Sequence, residues 1–144
     1  MENQSYKNHA RVHPLYHYVL TIFILGSLGT AVTYFIGALI EWRNINLAVV
    51  LLLMAGSLVM IFVLVRIYPL KAQDRAIRAE ENLRHYVLTG KLLDQRLSAR
   101  QIVALRFASD EELPALSAKA AENNWSTKEI KKEITNWRGD YYRI

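Results

Sequence analysis

The hydrophobic and polar positions divide the chain into an apolar first half and a polar second half. Residues 12–40 carry no formal charge, and neither do residues 44–65. A helix needs about 20 apolar residues to cross the hydrocarbon core of a bilayer. Only the short link 41–44 separates the two segments, so the pattern predicts a transmembrane helical hairpin with spans at about 15–40 and 45–68.

The flanking polar segments predict the rest of the organisation. Residues 1–13 form a polar cytoplasmic leader, and the hairpin as a whole occupies residues 14–69. Pro69 lacks a backbone N–H, so we expect the helix to be interrupted there and to resume as a basic juxtamembrane helix over residues 70–90. Residues 91–144 then form a small cytoplasmic domain.

Three short helices are predicted in that domain from their N-terminal signals. Ser98 can cap a helix that reaches Phe107. The segments 109–112 and 126–129 both have the pattern of a capping box, in which Ser or Thr is followed three residues later by Glu or Gln. The last helix should carry one apolar stripe, formed by Ile130, Ile134 and Trp137. The predicted fold is all-α: a transmembrane helical hairpin, a juxtamembrane helix and a three-helix domain.

The distribution of positive charge predicts the orientation. Lys and Arg in short flanks stay on the cytoplasmic side. Lys7 and Arg11 precede the first span, the link carries Arg43 alone, and several cations follow the second span. Both termini should therefore be cytoplasmic. The cations expected at anionic lipid headgroups are Arg66, Lys71, Arg75, Arg78 and Arg84.

The juxtamembrane helix also carries acids four residues ahead of basic partners, an orientation that stabilises exposed helices. These predicted pairs are Asp74–Arg78, Glu80–Arg84 and Glu81–His85.

Small residues recur along one face of the first span. In lipid, helices associate by close backbone approach over such residues. One interpretation is that this face receives the second span near Ala48, Ala55 and Gly56; the other is that it docks a different chain. The face consists of Gly26, Gly29, Thr30, Thr33 and Gly37.

Three histidines at a spacing of four are the candidate metal ligands. His9, His13 and His17 would align on one helix face and suit zinc, copper or haem iron. Pro14 opposes a continuous helix through them, and the alternative is that they are polar residues at the membrane interface. No cofactor is predicted.

Several classes of function lack support in the sequence. Neither span carries Asp, Glu, Lys or Arg in its interior, which argues against a pump or carrier acting alone. The chain has no cysteine, no phosphate-binding loop and no catalytic motif, so we do not expect an enzyme. Lys128, Lys131 and Lys132 alternate with Glu129 and Glu133 and have no aromatic platform beside them, so no nucleic-acid partner is predicted.

The chain resembles a bacterial family of short two-span membrane proteins of unknown function, some members of which are labelled transporter permeases. The resemblance rests on six segments: YKNHAR (6–11), HPLYH (13–17), QDRAIR (73–78), QIVALRFASDEEL (101–113), EIKK (129–132) and NWR (136–138). It implies membership and a two-span layout. It supplies no activity, but it places the family's signature on the polar flanks and tail. We expect the protein to lie in the bacterial inner membrane.

From these patterns we expect a membrane interaction protein, an accessory or scaffold subunit of a larger complex. Its partners would be anionic lipid of the inner leaflet and either another protein or further copies of the chain. The alternatives are a metal- or haem-binding protein that uses the leader histidines, and a small homo-oligomeric channel. The predicted partner surface on the tail comprises Arg106, Asp110, Glu111, Glu112 and Trp137.

Overall fold

The computed structural model describes residues 4–6 and 12–140. Its helices are α1 (Leu15–Glu41), α2 (Ile45–Thr89), α3 (Ala99–Leu105), α4 (Leu113–Glu122) and α5 (Thr127–Glu133). The described residues contain no strand, so the all-α prediction is confirmed; one isolated bridge joins Ala108 and Trp137. Two compact units divide the chain: residues 12–69 form the hairpin unit, and residues 70–140 with 4–6 form the tail unit.

The hairpin reverses direction in a short link. The first turn of α1, Leu15–Leu20, is π-helical, and the α-helical part follows from Thr21. Trp42 and Asn44 adopt left-handed backbone conformations, with φ of 50° and 55°. The Trp42 N–H donates to the carbonyl of Ala38, so this residue closes the helix in the way that a C-terminal αL residue does.

Alanines at a spacing of seven form the buried seam of the hairpin unit. In α1 the buried side chains are Ile24, Ala31 and Ala38, and in the part of α2 that belongs to this unit they are Ala48 and Ala55. A repeat of seven keeps the same helix face turned to its partner, and alanine lets two backbones approach closely. The seam, and not the glycines, therefore holds the two helices together.

Tyr16 fastens α1 to α2 near the other end of the hairpin. Its ring stacks on Phe62 with 4.6 Å between centroids, and its hydroxyl donates to the Phe62 carbonyl at 2.6 Å. The guanidinium of Arg66 lies 5.9 Å from the centre of the same ring. Tyr16 thus combines stacking, a hydrogen bond and a cation–π contact.

The expected interruption at Pro69 does not occur. Helix α2 runs from Ile45 to Thr89 with Pro69 inside it. Proline removes one backbone hydrogen bond, and the turns on either side remain helical. The predicted end of the helix is confirmed: Gly90 takes φ 73°, and its N–H donates to the Tyr86 carbonyl at 2.7 Å.

The tail unit has a core of its own, built from the three short helices. The predicted cap at Ser98 and the predicted capping box at 126–129 are confirmed: Ser98 opens α3 in a box with Gln101, and Ser126 opens α5 with Glu129. The largest fully buried side chains are Phe107, Ile102, Leu105, Leu113 and Ile130.

Two predictions about this unit are wrong. Helix α4 begins at Leu113 without a side-chain cap. The Ser109 Oγ accepts from the Glu112 N–H at 3.4 Å, but the Glu112 carboxylate binds Thr135 and Asn136 instead, so the reciprocal half of the predicted capping box does not form. Helix α5 ends at Glu133, after which Ile134 is extended. Trp137 leaves the expected stripe because its segment pairs with the chain after α3: the Arg138 N–H donates to the Phe107 carbonyl at 2.7 Å.

Candidate functional site

A groove lies between α1 and α2 in the hairpin unit. Its volume is about 820 Å³. Near the link it ends at Glu41, Arg43 and Asn44, and its walls are otherwise apolar or hydroxyl-bearing. The wall residues include Thr30, Thr33, Tyr34 and Gly37 from α1 and Leu51, Met54 and Leu58 from α2.

The predicted small-residue face does not receive the second span. Gly26, Gly29, Thr30 and Thr33 are exposed, and Gly37 is half-buried. A Cβ added at any of these three glycines would meet no atom within 4 Å. The intramolecular interpretation is therefore wrong, since the alanine seam occupies a different side of α1. Part of the face lines the groove, namely Thr30, Thr33 and Gly37.

The serine and threonine hydroxyls of the groove are satisfied within their own helix. Ser27 donates to the Ile24 carbonyl at 2.9 Å, Thr30 to the Gly26 carbonyl at 2.9 Å, and Thr33 to the Thr30 carbonyl at 3.0 Å. Because these donors need no further partner, the wall of α1 presents a surface suited to apolar contact.

The cations predicted at lipid headgroups separate into different environments. Lys71, Arg75 and Arg78 are exposed, whereas Arg66 is half-buried beside Tyr16. The predicted pairs along α2 do not form. In the part of the chain that the structure describes, the ion pairs are Glu81–Arg84, Arg84–Asp110, Asp94–Arg96 and Arg106–Asp140.

Arg84 is not a headgroup residue but a structural one. Its side chain is 11% exposed and lies 2.9 Å from the Glu81 carboxylate and 2.6 Å from that of Asp110. It also donates to the Ala108 carbonyl at 2.8 Å. These contacts hold the end of α2 against the segment after α3. The positive charge of Arg84 is therefore neutralised inside the tail unit.

Most residues of the predicted partner surface also make contacts inside the tail unit. Arg106 is 7% exposed; its Nε lies 2.9 Å from the Asp140 carboxylate, and its guanidinium lies 4.3 Å from the centre of the Phe107 ring. Trp137 packs on the same ring at 5.1 Å. These residues hold the end of the described chain against the core and do not form an open docking surface.

Two acids of that predicted surface also serve the fold. Asp110 accepts from Arg84, as described above. The Glu112 carboxylate accepts from the Asn136 N–H at 3.2 Å and from the Thr135 hydroxyl, so it holds the segment after α5. Glu111 is exposed and, unlike the other four residues, takes no described part in this packing.

A contact that the sequence did not signal joins the two ends of the described chain. The side-chain amide of Gln4 accepts from the Asp140 N–H at 2.8 Å and donates to the Asp140 carbonyl at 3.1 Å. The two residues are 136 positions apart, and no periodicity or local motif relates them. Part of the leader therefore belongs to the tail unit.

The histidines do not form a metal site in the described residues. The Nδ1 of His17 lies 3.0 Å from the His13 backbone nitrogen and 2.9 Å from its carbonyl oxygen, so this ring is engaged at the start of α1. No group of three or more potential ligands is present in residues 4–6 and 12–140. His9 lies outside the described residues.

Two carboxyl groups of the tail unit have shifted pKa values. The Arg96 side chain, by donating to the carboxylate, lowers the pKa of Asp94 to about 2. The Ser126 hydroxyl and then its backbone N–H lower the pKa of Glu129. In both cases local hydrogen bonds stabilise the carboxylate. The lowered pKa of Asp94 reflects a loop contact, and that of Glu129 reflects a helix cap.

The first two helices have the properties of membrane spans. Both are long and apolar enough to cross a bilayer, and only 11% of the most apolar window of each is buried. A core helix of a soluble protein would be mostly buried.

No curated protein and no solved structure matches the chain. The sequence model of a family of unknown function, DUF6526, matches residues 1–144. Because that match covers the whole chain, the protein belongs to this family. The match includes both the apolar hairpin and the tail.

Proposed function

We propose that this protein is an accessory or scaffold subunit of a membrane complex, and that its hairpin binds a transmembrane helix of another membrane protein in the groove between α1 and α2. The observation that carries the proposal is the open space at the groove-lining Gly37. Three seam residues, Ala31, Ala38 and Ala55, also line the groove. Beside them Thr33 is exposed and Gly37 has open space around it, which leaves room for a third helix.

The chemistry of the groove favours a helix of small and apolar residues. In lipid, association is driven by close packing, since the surrounding tails are as apolar as the helices. The wall has Gly37 and Thr33 on one side and Leu51 and Leu58 on the other. Its serine and threonine hydroxyls already donate to backbone carbonyls, so a partner would not need polar groups to meet them.

We also propose that the protein lies in the inner membrane of a bacterium with both termini in the cytoplasm. The support is the basic flank after the second span, compared with a link that carries Arg43 alone. The chain has no cysteine, so single cysteines at Asn44 and Asn124 report topology directly. A membrane-impermeant thiol reagent added to intact cells should label the first and spare the second; the reverse pattern would contradict the orientation.

A matched pair of glycine substitutions tests the groove. Gly37→Leu places a large side chain in the groove, whereas Gly29→Leu places the same side chain on α1 outside it. Both positions have room for the added Cβ, so the hairpin should persist in both variants. The readout is native mass spectrometry of tagged protein extracted gently from its own membranes.

We expect the wild type and Gly29→Leu to carry the same unrelated membrane protein at fixed stoichiometry, and Gly37→Leu to lose it. Equal loss in both variants would point to the whole small-residue face. Retention in both would refute the groove. A complex made only of copies of this chain would replace the accessory role with an autonomous oligomer.

A further inference from the structure

Three cations of α2 form a continuous row on the tail unit. Lys71, Arg75 and Arg78 are separated by four and three residues, which places them within about 60° of one another around the helix axis. All three are exposed. In the described residues none of them lies within 4.0 Å of a carboxylate. We call these residues the cationic row.

Other side chains of this helix segment are buried or paired. Ile77 and Glu81 are buried about a quarter to a third of a turn away from the row. Arg84 is paired with Glu81 and Asp110. Arg84, the cation that the tail unit buries, is therefore neutralised by its acidic partners. Within the described residues the cationic row is not neutralised and lies off the packed side of the helix.

The position of the row along α2 matches the headgroup layer. Lys71 follows Tyr68, at the end of the apolar segment, by three residues. From Lys71 to Arg78 the helix rises about 10 Å. The headgroup region of one leaflet is about 5–8 Å thick, so the row extends through that layer and just beyond it.

We infer that the cationic row is a binding site for anionic phospholipid headgroups of the leaflet from which α2 emerges. Lys and Arg placed near a surface of anionic lipid are attracted to it within a Debye length. The site lies on the tail unit and is distinct from the groove, so this inference stands whether or not a third helix occupies the groove.

The test uses the full chain in nanodiscs that contain equal amounts of phosphatidylglycerol and phosphatidylcholine. Native mass spectrometry counts the lipids of each class that remain bound after release. The row is removed by K71Q/R75Q/R78Q. The matched control is K128Q/K132Q/R138Q, which removes the same charge from exposed positions elsewhere on the tail unit.

We expect the wild type and the control to retain phosphatidylglycerol preferentially over phosphatidylcholine. In the row variant the ratio of bound phosphatidylglycerol to phosphatidylcholine should fall by a factor of about five or more, which corresponds to the attraction of one well-placed charge to anionic lipid. Raising the salt concentration should lower the preference of the wild type towards that of the row variant. Equal preference in all three proteins would overturn the inference. Equal loss in the row variant and the control would also overturn it, because net charge would then suffice.

Discussion

Arg84 and Asp110, 26 positions apart, are joined by an ion pair with 2.6 Å between the guanidinium and the carboxylate. The pair ties the end of α2 to the segment between α3 and α4. The same guanidinium contacts Glu81, so one cation compensates two acids at the place where the long helix meets the tail core. The integrity of the tail unit therefore depends on this side chain.

Removing Arg84 should destabilise the tail unit. Arg84→Met leaves the Glu81 side chain, 8% exposed, without its partner, and breaking such a buried pair from one side costs about 3–5 kcal/mol. The measurement is denaturant unfolding followed by Trp125 and Trp137 fluorescence in a Trp42→Phe background. Asp110 is 62% exposed, so Asp110→Asn should cost only about 0–1 kcal/mol. Equal effects of the two substitutions would contradict the buried role of Arg84.

Phe107 should be the most sensitive position of the tail core. It is 1% exposed and contacts both the Trp137 ring and the Arg106 guanidinium. Phe107→Ala should cost about 3–5 kcal/mol by leaving a cavity, seen as a lower midpoint of thermal unfolding. Val87→Ala, at a position 75% exposed, is the control. A loss below about 1 kcal/mol at Phe107 would show that this core collapses around the gap.

The capping boxes provide a direct check on where the short helices begin. Ser98→Ala and Ser126→Ala should each cost about 0.5–2 kcal/mol, the usual cost of losing an N-cap. Ser109→Ala should cost clearly less, because Ser109 accepts only one long hydrogen bond, from the Glu112 N–H at 3.4 Å in the turn before α4. Unfolding free energies of the three variants decide this. If Ser109 proved as costly as the other two, α4 would begin earlier than the structure has it.

Glu129 should make the stability of the tail unit depend on pH. Its pKa is lowered in the folded state from an ordinary value of 4.5, chiefly by the Ser126 hydroxyl. A lowered pKa means that this contribution is fully present above pH about 4.5 and is lost as the pH falls through the folded-state pKa. Unfolding midpoints measured between pH 7 and pH 3 report it.

A non-titrating variant isolates that contribution. Glu129→Gln keeps an acceptor for the cap but cannot ionise, so its midpoint should fall less steeply over the same pH range. Glu133→Gln removes an exposed carboxylate outside the capping box and should follow the wild type. If the unfolding midpoints of all three proteins fell equally with pH, the charge of Glu129 would not contribute to the stability of the cap.

The sequence by itself determined the elements that rest on local or one-dimensional physics. Uncharged length gave the two apolar helices, since crossing a bilayer is a requirement on consecutive residues. Ser98 and Ser126 fixed the starts of α3 and α5 because a cap and its box lie within one turn. Gly90 fixed the end of α2 because its positive φ suits glycine.

Tertiary structure alone decided which side chains are available to partners. Arg84, Arg106, Glu112 and Trp137 look like surface residues in the sequence, and each is engaged by a residue at least 20 positions away or by a ring of the core. The seam of the hairpin was decided in the same way. Glycines and alanines both permit close approach, and only the packing of α1 on α2 shows that the alanines are buried and the glycines are left open.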